Sequence, residues 1–335
     1  MTTAHTSSAT TAELRSALER QLHQPIVELT RTPSIYSSSF QLENLDVRLQ
    51  DGSQMALLLK NLSPTAMLDT SRNVKPAFVF NSRREIDVYE RILADRGLGT
   101  AASYVSNAGA QRQRYWLVLE RVAGIELYQV GELAVWQAVA RWLAELHASR
   151  DVRAAAFAIG DMLLEHTAAW YSRWMQRAVR FAQASGDRHR IATIEWLASR
   201  HPRVIDQLVI LPQSFIHGEA YASNILVQHT DGQLRVCPID WEMAALGPGL
   251  IDLAALSAGS WDHPARRQLE DGYRDAWRTA GGEALGQSEF DVALECCRLQ
   301  LAVQWLGWAA DWQSPPEHAR DWLAEAVTAA ERLGW

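Results

Sequence analysis

The stretch around residue 220 combines residue types that can support phosphoryl transfer. Glu219 is followed five positions later by Asn224, and Asp240 comes after a hairpin-like segment. Phosphoryl transfer needs a carboxylate beside the attacking hydroxyl and hard oxygen ligands for the Mg²⁺ ions that neutralise charge on the phosphates. Glu219 is therefore the candidate for the first task, and Asn224 and Asp240 are the candidates for holding the metal.

The order of these residues is more informative than any one of them. A carboxylate, an Asn, a hairpin and then an Asp reproduce the order of the catalytic loop and the metal-binding Asp in kinases. With Ile216-His217-Gly218-Glu219 and Ile239-Asp240-Trp241, the chain resembles the aminoglycoside phosphotransferase and choline kinase-like family. The mark of that family is His-Gly-Asp, then Asn, then Ile-Asp-Trp or Ile-Asp-Phe. The resemblance extends over nearly the whole chain.

Lys60 stands out because lysine is rare in this sequence. Lys60 and Lys75 are the only lysines among 32 Lys and Arg residues, so Arg fills most generic cation positions. Met55–Lys60 looks like the third strand of the family, which implies that Lys60 contacts the α- and β-phosphates of ATP. The resemblance also implies a helix Glu as its partner, and Glu85 is the candidate.

Two further segments look like nucleotide-binding parts of the family. Pro33–Phe40 looks like the phosphate loop, in which Ser37 and Ser38 would approach phosphate; an ordinary Ser-rich turn is the alternative. Leu117–Gly124 looks like the hinge, where backbone groups around Glu120 to Val122 would bind adenine.

Several residues favour structural interpretations. The resemblance implies that Asp252 supports the catalytic loop, and His217 is expected to hydrogen-bond loop backbone rather than move protons. His147 lies on an apolar helix face, as a core histidine does. Trp305, Trp308 and Trp312 follow helical spacing, which favours core packing over an aromatic substrate-binding face.

The elements that must position these residues follow from periodicity. Residues 26 to 120 are mainly strand-like, with a hairpin signal, Gln50-Asp51-Gly52-Ser53, between Phe40–Leu49 and Met55–Lys60. One helix is predicted over Arg83–Leu93 behind Asn81-Ser82. Strands are predicted near Ala101–Val105 and Tyr115–Glu120.

Beyond Gly124 the pattern is mostly helical. The predicted helices are Trp136–His147, Ala154–Ser185, Arg188–Leu208 and several segments after Ile251. A strand-turn-strand, Asn224–Val227 and Leu234–Ile239, interrupts them. We expect an N-terminal nucleotide-binding domain over 1–121 and a C-terminal helical domain over 122–335, with the catalytic loop, the substrate pocket and a ligand-binding cleft between the domains.

Composition excludes several classes of partner. The net charge is −7 and no basic run is present, which argues against binding to nucleic acid or to an anionic membrane surface. The three cysteines give neither a disulfide framework nor a CxxC metal site, so a reducing, cytoplasmic location is expected. No stretch is long and apolar enough for a membrane span. Oligomeric state is left open.

The fold class expected is α+β, of the bilobal protein-kinase-like type: a small antiparallel β-sheet lobe with one helix, then a larger, mainly helical lobe. The function implied is an ATP- and Mg²⁺-dependent phosphotransferase, a kinase that phosphorylates a hydroxyl of an aminoglycoside-like, sugar or amino-alcohol acceptor. Glu219 stands where the family has Asp, one methylene shorter. This difference motivates the alternative: a catalytically impaired pseudokinase that acts as a nucleotide-binding regulatory module.

Overall fold

The computed structural model describes residues 9–37, 39–109, 113–230, 232–259, 261–283, 285–308 and 320–335. The chain divides into two compact units. The first comprises Met1–Lys75 and Phe80–Gly124, and the second comprises Pro76–Val79 and Ile125–Trp335.

The first unit contains a five-stranded antiparallel sheet of order β1-β2-β3-β5-β4. Its strands are β1 (Ile26–Ser37), β2 (Gln41–Leu49), β3 (Gln54–Asn61), β4 (Ser103–Gly109) and β5 (Arg114–Glu120). The predicted hairpin joins β2 to β3. Its turn is fixed because Asp51 Oδ1 accepts a hydrogen bond from Ser53 N at 2.9 Å and Gly52 adopts φ +87°.

Helix α1 (Thr11–Leu22) covers one face of this sheet. Thr10 and Glu13 form a capping box at its start, and Leu14 and Leu18 are fully buried against β2, β3 and β5 residues. Only the helix near residue 86 is expected in this unit, and the structure adds α1 and the short α2 (Asp69–Val74). The Thr-x-x-Glu spacing was a readable signal for α1.

The helix predicted over residues 83–93 is not a uniform α-helix. It begins as α3 (Arg84–Asp87) and continues as a π-helical turn over Val88–Leu93. Arg96 Nη1 donates to the Ile92 carbonyl at 2.7 Å, which satisfies one of the carbonyls that the end of the turn exposes. Wider turns of this kind occur often at functional sites.

The second unit is mainly helical. Its helices are α4 (Leu133–Ala148), α5 (Arg150–Ala158), α6 (Ala168–Ser185), α7 (Arg188–Val209), α8 (Leu250–Leu256), α9 (His263–Thr279), α10 (Gln287–Leu306) and α11 (Trp322–Arg332). The prediction of one continuous helix over residues 154–185 is wrong. Leu164 and Glu165 instead pair with Ala245 and Leu246 as a short parallel ladder, and Thr167 then caps a new helix.

Two three-stranded sheets accompany these helices. One has the order β10-β9-β6, formed by β6 (Ile125–Glu126), β9 (Ile225–Thr230) and β10 (Gln233–Pro238). The other has the order β7-β11-β8, formed by β7 (Leu164–Glu165), β8 (Gln213–Ile216) and β11 (Ala245–Pro248). The β9–β10 pair confirms the predicted strand-turn-strand after Asn224.

One large apolar core spans the second unit. It includes the fully buried side chains of Leu143 on α4, Trp174 on α6 and Leu253 on α8. Trp305 and Trp308 are partly buried and pack against it, as predicted, whereas Trp312 lies outside the described residues. Among the helices that the structure describes, none has the length and apolar character needed to cross a membrane.

His166 is buried beside this core and stacks on Trp170 at 5.1 Å between ring centroids. Its Nδ1 has no hydrogen-bond partner among the described residues. Burial lowers the pKa of His166 to about 4, against a weaker opposing effect of the Asp252 charge. The imidazole is therefore neutral at neutral pH.

This burial predicts an acid-sensitive fold. The unfolded chain takes up a proton on His166 near pH 6.5 and the folded chain only near pH 4, so stability is complete above pH 6.5 and falls as pH drops towards 4, by up to about 3 kcal/mol. Urea unfolding at several pH values should show a shallower fall for His166→Phe. The same substitution at the exposed His229 should leave the fall unchanged. Equal pH dependence in both variants would contradict this origin.

Candidate active site

The candidate catalytic loop leaves the end of β8 and turns sharply at Gly218. Gly218 has φ +83°, and a Cβ at this position would lie 2.3 Å from the Met243 carbonyl oxygen. Only glycine fits such a conformation at such a distance. The loop then presents Glu219 and runs through a short 3₁₀ turn, Ala222–Asn224, into β9.

A fully buried carboxylate fixes the start of the loop. Asp252, on α8, accepts hydrogen bonds from the backbone N–H of His217 at 2.7 Å and of Gly218 at 2.8 Å. Burial alone would raise the pKa of Asp252, but the hydrogen bond from His147, together with the backbone hydrogen bond from His217, holds it below its usual range. The structure thus agrees with the supporting position predicted for Asp252.

His147 extends this contact away from the loop. Its Nε2 lies 3.0 Å from Asp252 Oδ2, and its Nδ1 lies 2.9 Å from the Tyr273 hydroxyl. Since the carboxylate can only accept, Nε2 carries the proton and Nδ1 accepts from Tyr273. A Cβ on Gly249 would lie 2.6 Å from both His147 Nδ1 and Tyr273 Oη, so this position must lack a side chain.

His217 bonds the backbone through both ring nitrogens, which supports a structural role. Nε2 donates to the Ile239 carbonyl at 2.8 Å, and Nδ1 accepts from Glu219 N at 3.3 Å. The ring also lies 4.5 Å from Trp241, between ring centroids. His217 therefore connects the catalytic loop to the strand end that carries Asp240.

Asn224 is oriented by the loop itself. Its side-chain Nδ2 donates to the backbone carbonyl of Glu219 at 3.0 Å, and its own backbone carbonyl accepts from Ile239 N at 2.8 Å. Because the amide nitrogen is committed to the loop, the opposite amide atom, Oδ1, is the one suited to a metal. The backbone bond to Ile239 brings the segment next to Asp240 alongside Asn224.

Asp240 adopts an uncommon backbone conformation. Its φ and ψ are 63° and 64°, in the left-handed region, which costs a non-glycine residue roughly 1–2 kcal/mol. Trp241 follows it, is fully buried, stacks on Phe215 at 5.4 Å and donates from Nε1 to the Pro238 carbonyl. This packing holds the strained turn, and strain of this kind is concentrated at functional sites.

Tyr221 anchors the far side of the loop. Its backbone N–H donates to the Glu219 carbonyl at 2.7 Å, and its buried hydroxyl accepts from Trp305 Nε1 on α10. Burial raises the pKa of Tyr221 well above its ordinary value, and the Glu219 charge adds to the effect. Tyr221 is therefore a neutral phenol that packs the loop against α10.

In the first unit, the predicted partner residues Lys60 and Glu85 meet. Lys60 Nζ lies 2.7 Å from Glu85 Oε1, and the two side chains are 6% and 2% exposed. Lys60 is on β3, between Leu42 of β2 and Leu117 of β5, and Glu85 is in the first turn of α3. The other lysine, Lys75, donates to Ser39 Oγ at 3.1 Å.

The structure describes the candidate hinge, but it describes the candidate phosphate loop only in part. The N–H groups of Glu120 and Arg121 donate to the Ala102 and Ala56 carbonyls, so Val122 is the first hinge residue beyond these bonds. Ser37 ends β1 opposite Gln41, and only its backbone is described. Ser38 lies outside the described residues.

Metal-binding potential rests on Asn224 and Asp240 rather than on a cluster. Among the residues described, no group of three or more His, Cys, Asp or Glu is placed to hold a metal ion. Mg²⁺ in phosphoryl-transfer sites is commonly held by one or two protein oxygens, with water and substrate phosphates completing the octahedron. Asn224 and Asp240 supply oxygen donors of this kind.

Comparison with known proteins identifies the family. The model of the family described as "Phosphotransferase enzyme family" (APH) matches residues 43–287, most of the chain. The chain belongs to this family. The predicted enzyme class, a phosphotransferase, is thereby confirmed. No curated protein sequence matches the chain.

Solved structures show the same fold. A microcompartment-associated aminopropanol kinase is 15% identical, with a TM-score of 0.57, over 95% of this chain and 97% of the other. A spectinomycin phosphotransferase in complex with ADP and spectinomycin is 13% identical, with a TM-score of 0.58, over 96% and 94%. An ethanolamine kinase from Plasmodium vivax is 13% identical, with a TM-score of 0.55, over 90% and 82%. The predicted α+β, protein-kinase-like fold class of this phosphotransferase is confirmed.

Some structural parts of the phosphotransferase site were not predicted. Tyr221 and Tyr273 hold the loop and its support, and their partners are 84 and 126 positions away along the chain. Neither residue carries a local signal beyond being an aromatic residue in a helical or loop segment. The roles of Glu219, Asn224, Asp240, Lys60 and Glu85 stay predictions.

The Lys60–Glu85 pair can be tested with a double-mutant cycle on the free energy of unfolding. Lys60→Met should destabilise the phosphotransferase by about 3–5 kcal/mol because it leaves Glu85 buried without its partner charge. Lys60→Met with Glu85→Met should cost much less. The exposed pair Arg48–Glu28, 2.8 Å apart, is the control, and Arg48→Met should cost under about 1 kcal/mol. Urea unfolding checks the cycle, and additive costs at positions 60 and 85 would contradict it.

The Tyr273 hydroxyl predicts a positional effect on the loop. Tyr273→Phe removes the donor to His147, so the amides held by Asp252 should exchange faster with deuterium, and kcat should fall more than KM changes. Tyr171→Phe is a matched control, because Tyr171 is fully buried and its hydroxyl has no partner among the described residues. Hydrogen exchange of the segment around residue 217 measures the effect. Equal exchange in both variants would contradict the positioning role.

Proposed function

We propose that this phosphotransferase transfers the γ-phosphoryl group of ATP to a hydroxyl of a small acceptor that is aminoglycoside-like, a sugar or an amino alcohol. The observation that carries the proposal is the loop after β8. A buried carboxylate, Asp252, fixes its backbone while Glu219 and Asn224 follow within seven residues of His217. Membership of the phosphotransferase family supports the same reaction.

Each residue of the loop receives one task in this proposal. Glu219 aligns the acceptor hydroxyl and accepts its proton as the bond to phosphorus forms and the bond to the ADP leaving group breaks. Asn224 and Asp240 hold Mg²⁺, which neutralises charge on the phosphates. The strained backbone of Asp240 fits this assignment, because the packing of Trp241 holds the backbone that carries the carboxylate.

Nucleotide binding is assigned to residues 1–121, and the acceptor site and catalytic loop to residues 122–335. Lys60 contacts the phosphates, and Glu85 orients its ammonium group through their 2.7 Å contact. The adenine edge is bound by the backbone from Glu120 to Val122. Ser37 and Ser38 stay candidates for the phosphate loop.

The acceptor class is supported by the chemistry of proteins with similar folds. Those proteins are an aminopropanol kinase, an ethanolamine kinase and a spectinomycin phosphotransferase, and the structure of the last contains ADP and spectinomycin. An acceptor with a hydroxyl and an amine is the chemistry that the first two share. We also propose a cytoplasmic location, which is supported by three buried cysteines that form no disulfide with one another.

Asp240→Asn tests the proposal. We expect transfer from ATP to an acceptor found in a panel of amino alcohols, sugars and aminoglycosides, with a loss of roughly 100-fold or more in kcat for Asp240→Asn, because one metal ligand loses its charge. Asp206→Asn is the control, since Asp206 is exposed on α7. Phosphorylated acceptor is measured by mass spectrometry. Unchanged turnover in Asp240→Asn would overturn the site assignment.

The same assay separates transfer from nucleotide binding alone. Mg-ATP binding without transfer to any acceptor, together with transfer gained by Glu219→Asp, would favour the nucleotide-binding regulatory module instead. The observation behind this second possibility is the extra methylene of Glu219. Binding is measured by calorimetry on the full chain, so it is read independently of turnover.

A further inference from the structure

A cavity of about 280 Å³ lies in the second unit, away from the proposed catalytic residues. Helix α9 supplies Tyr273 and Trp277, α8 supplies Leu250, and α10 and the segment before it supply Phe290 and Leu285. Glu219, Asn224 and Asp240 are not among the residues that line it. The volume is close to the lower end for small-ligand sites.

Most of the cavity wall is apolar and preformed. Trp277 Nε1 donates to the Glu283 carbonyl at 2.7 Å, which fixes the indole ring. Gly282 packs directly on this ring, because a Cβ there would lie 2.2 Å from a ring carbon. With Leu250 and Phe290 on the wall, an aromatic or branched aliphatic group can bury apolar surface without prior rearrangement.

The charged residues of the lining favour an anion. Arg274 and Arg278 contribute two positive charges, and Glu283 contributes one negative charge. Arg274 also contacts Asp271 at 3.3 Å, and Arg278 contacts Asp275 at 3.2 Å. The first pair is partly exposed and the second is exposed, and such pairs contribute little. A guanidinium can therefore exchange its partner for a ligand carboxylate, which it binds with strong charge-assisted hydrogen bonds.

We propose that this cavity binds a small carboxylic acid with an aromatic or branched aliphatic body. The body lies against Trp277, and the carboxylate meets Arg274 and Arg278. The bound acid also contacts Tyr273, whose hydroxyl donates to His147, which in turn contacts Asp252. Occupancy of the cavity therefore changes how firmly Asp252 holds the His217 and Gly218 amides. None of the residues assigned above to the nucleotide, the metal or the proton of the acceptor hydroxyl lines this cavity.

Binding of 3-phenylpropionate to the full-length chain tests the site. Calorimetry or ligand-observed NMR should detect the acid, and its neutral amide should bind at least about 10-fold more weakly. Arg274→Gln with Arg278→Gln should reduce the acid to the affinity of the amide. Arg188→Gln with Arg203→Gln, two exposed positions on α7, is the matched control and should bind the acid normally.

Leu285→Trp should abolish binding of both probes because the indole fills the cavity. Leu285 is partly buried. If this variant folds poorly, the comparison of the Arg274→Gln, Arg278→Gln chain with its Arg188→Gln, Arg203→Gln control still tests the site. No binding at roughly 5 mM acid, or binding that survives both sets of substitutions, would overturn the site.

Deuterium exchange of the His217 and Gly218 amides tests the connection to the loop, without any assay of transfer. Saturating acid should change their exchange rate by several-fold in the wild-type chain and not in Tyr273→Phe, where the hydroxyl contact to His147 is missing. Unchanged exchange in the saturated wild-type chain would overturn the connection.

Discussion

The Asp252 carboxylate holds the two backbone amides on which the rest of the candidate site depends. A fully buried carboxylate is costly unless its oxygens are satisfied, and here both accept backbone N–H groups while His147 adds a third contact. These hydrogen bonds offset the cost of burying the charge, and two of them come from His217 and Gly218, where the chain leaves β8 and turns. This single side chain therefore sets the path of the loop that carries Glu219 and Asn224.

The hydrogen bonds to Asp252 help to stabilise two unusual backbone conformations nearby. Gly218 turns with φ +83° against the Met243 carbonyl, and Asp240 sits in the left-handed region on the neighbouring hairpin. His217 joins the two, since its backbone bonds Asp252 and its ring bonds Ile239. The fully buried Trp241 packs on the His217 ring and closes the arrangement. Strain at Asp240 is thus supported by contacts on three elements: β8, β10 and α8.

Local sequence patterns were sufficient where a feature depends on neighbours in the chain. The turn at Asp51 and Gly52 and the hairpin after Asn224 follow from turn residues between alternating segments. The rarity of lysine and the resemblance to the family together pointed to Lys60 and its partner Glu85, 25 positions apart, which the structure joins. The turn and the hairpin required no knowledge of distant packing, whereas the partner of Lys60 came from the resemblance.

Long-range contacts explain what the sequence did not predict. Residues 154–185 have helical periodicity throughout, yet Leu164 and Glu165 form a strand because β11 offers them a ladder. Tyr273 lies 126 positions from His147, and no local pattern marks its hydroxyl as the donor to Nδ1. Tyr89 and Ile92, in the π-helical turn at Val88–Leu93, are both buried, and no local pattern predicted this wider turn. Propensity is overridden wherever tertiary packing offers more.

The extra methylene of Glu219 acquires a specific meaning in a loop that is held this firmly. Its backbone N–H bonds His217, and its carbonyl accepts from both Tyr221 and Asn224. Because both the N–H and the carbonyl of Glu219 are held, its backbone cannot shift to place the longer side chain's carboxylate where an Asp carboxylate would lie. In the proposed reaction the carboxylate is therefore displaced by about 1.5 Å, or the side chain bends. Because a shift of this size is costly to catalysis, an acceptor whose hydroxyl lies farther from the loop is favoured over one matched to Asp. In the proposed role of Glu219, the extra methylene that motivates the pseudokinase alternative thus also constrains the acceptor.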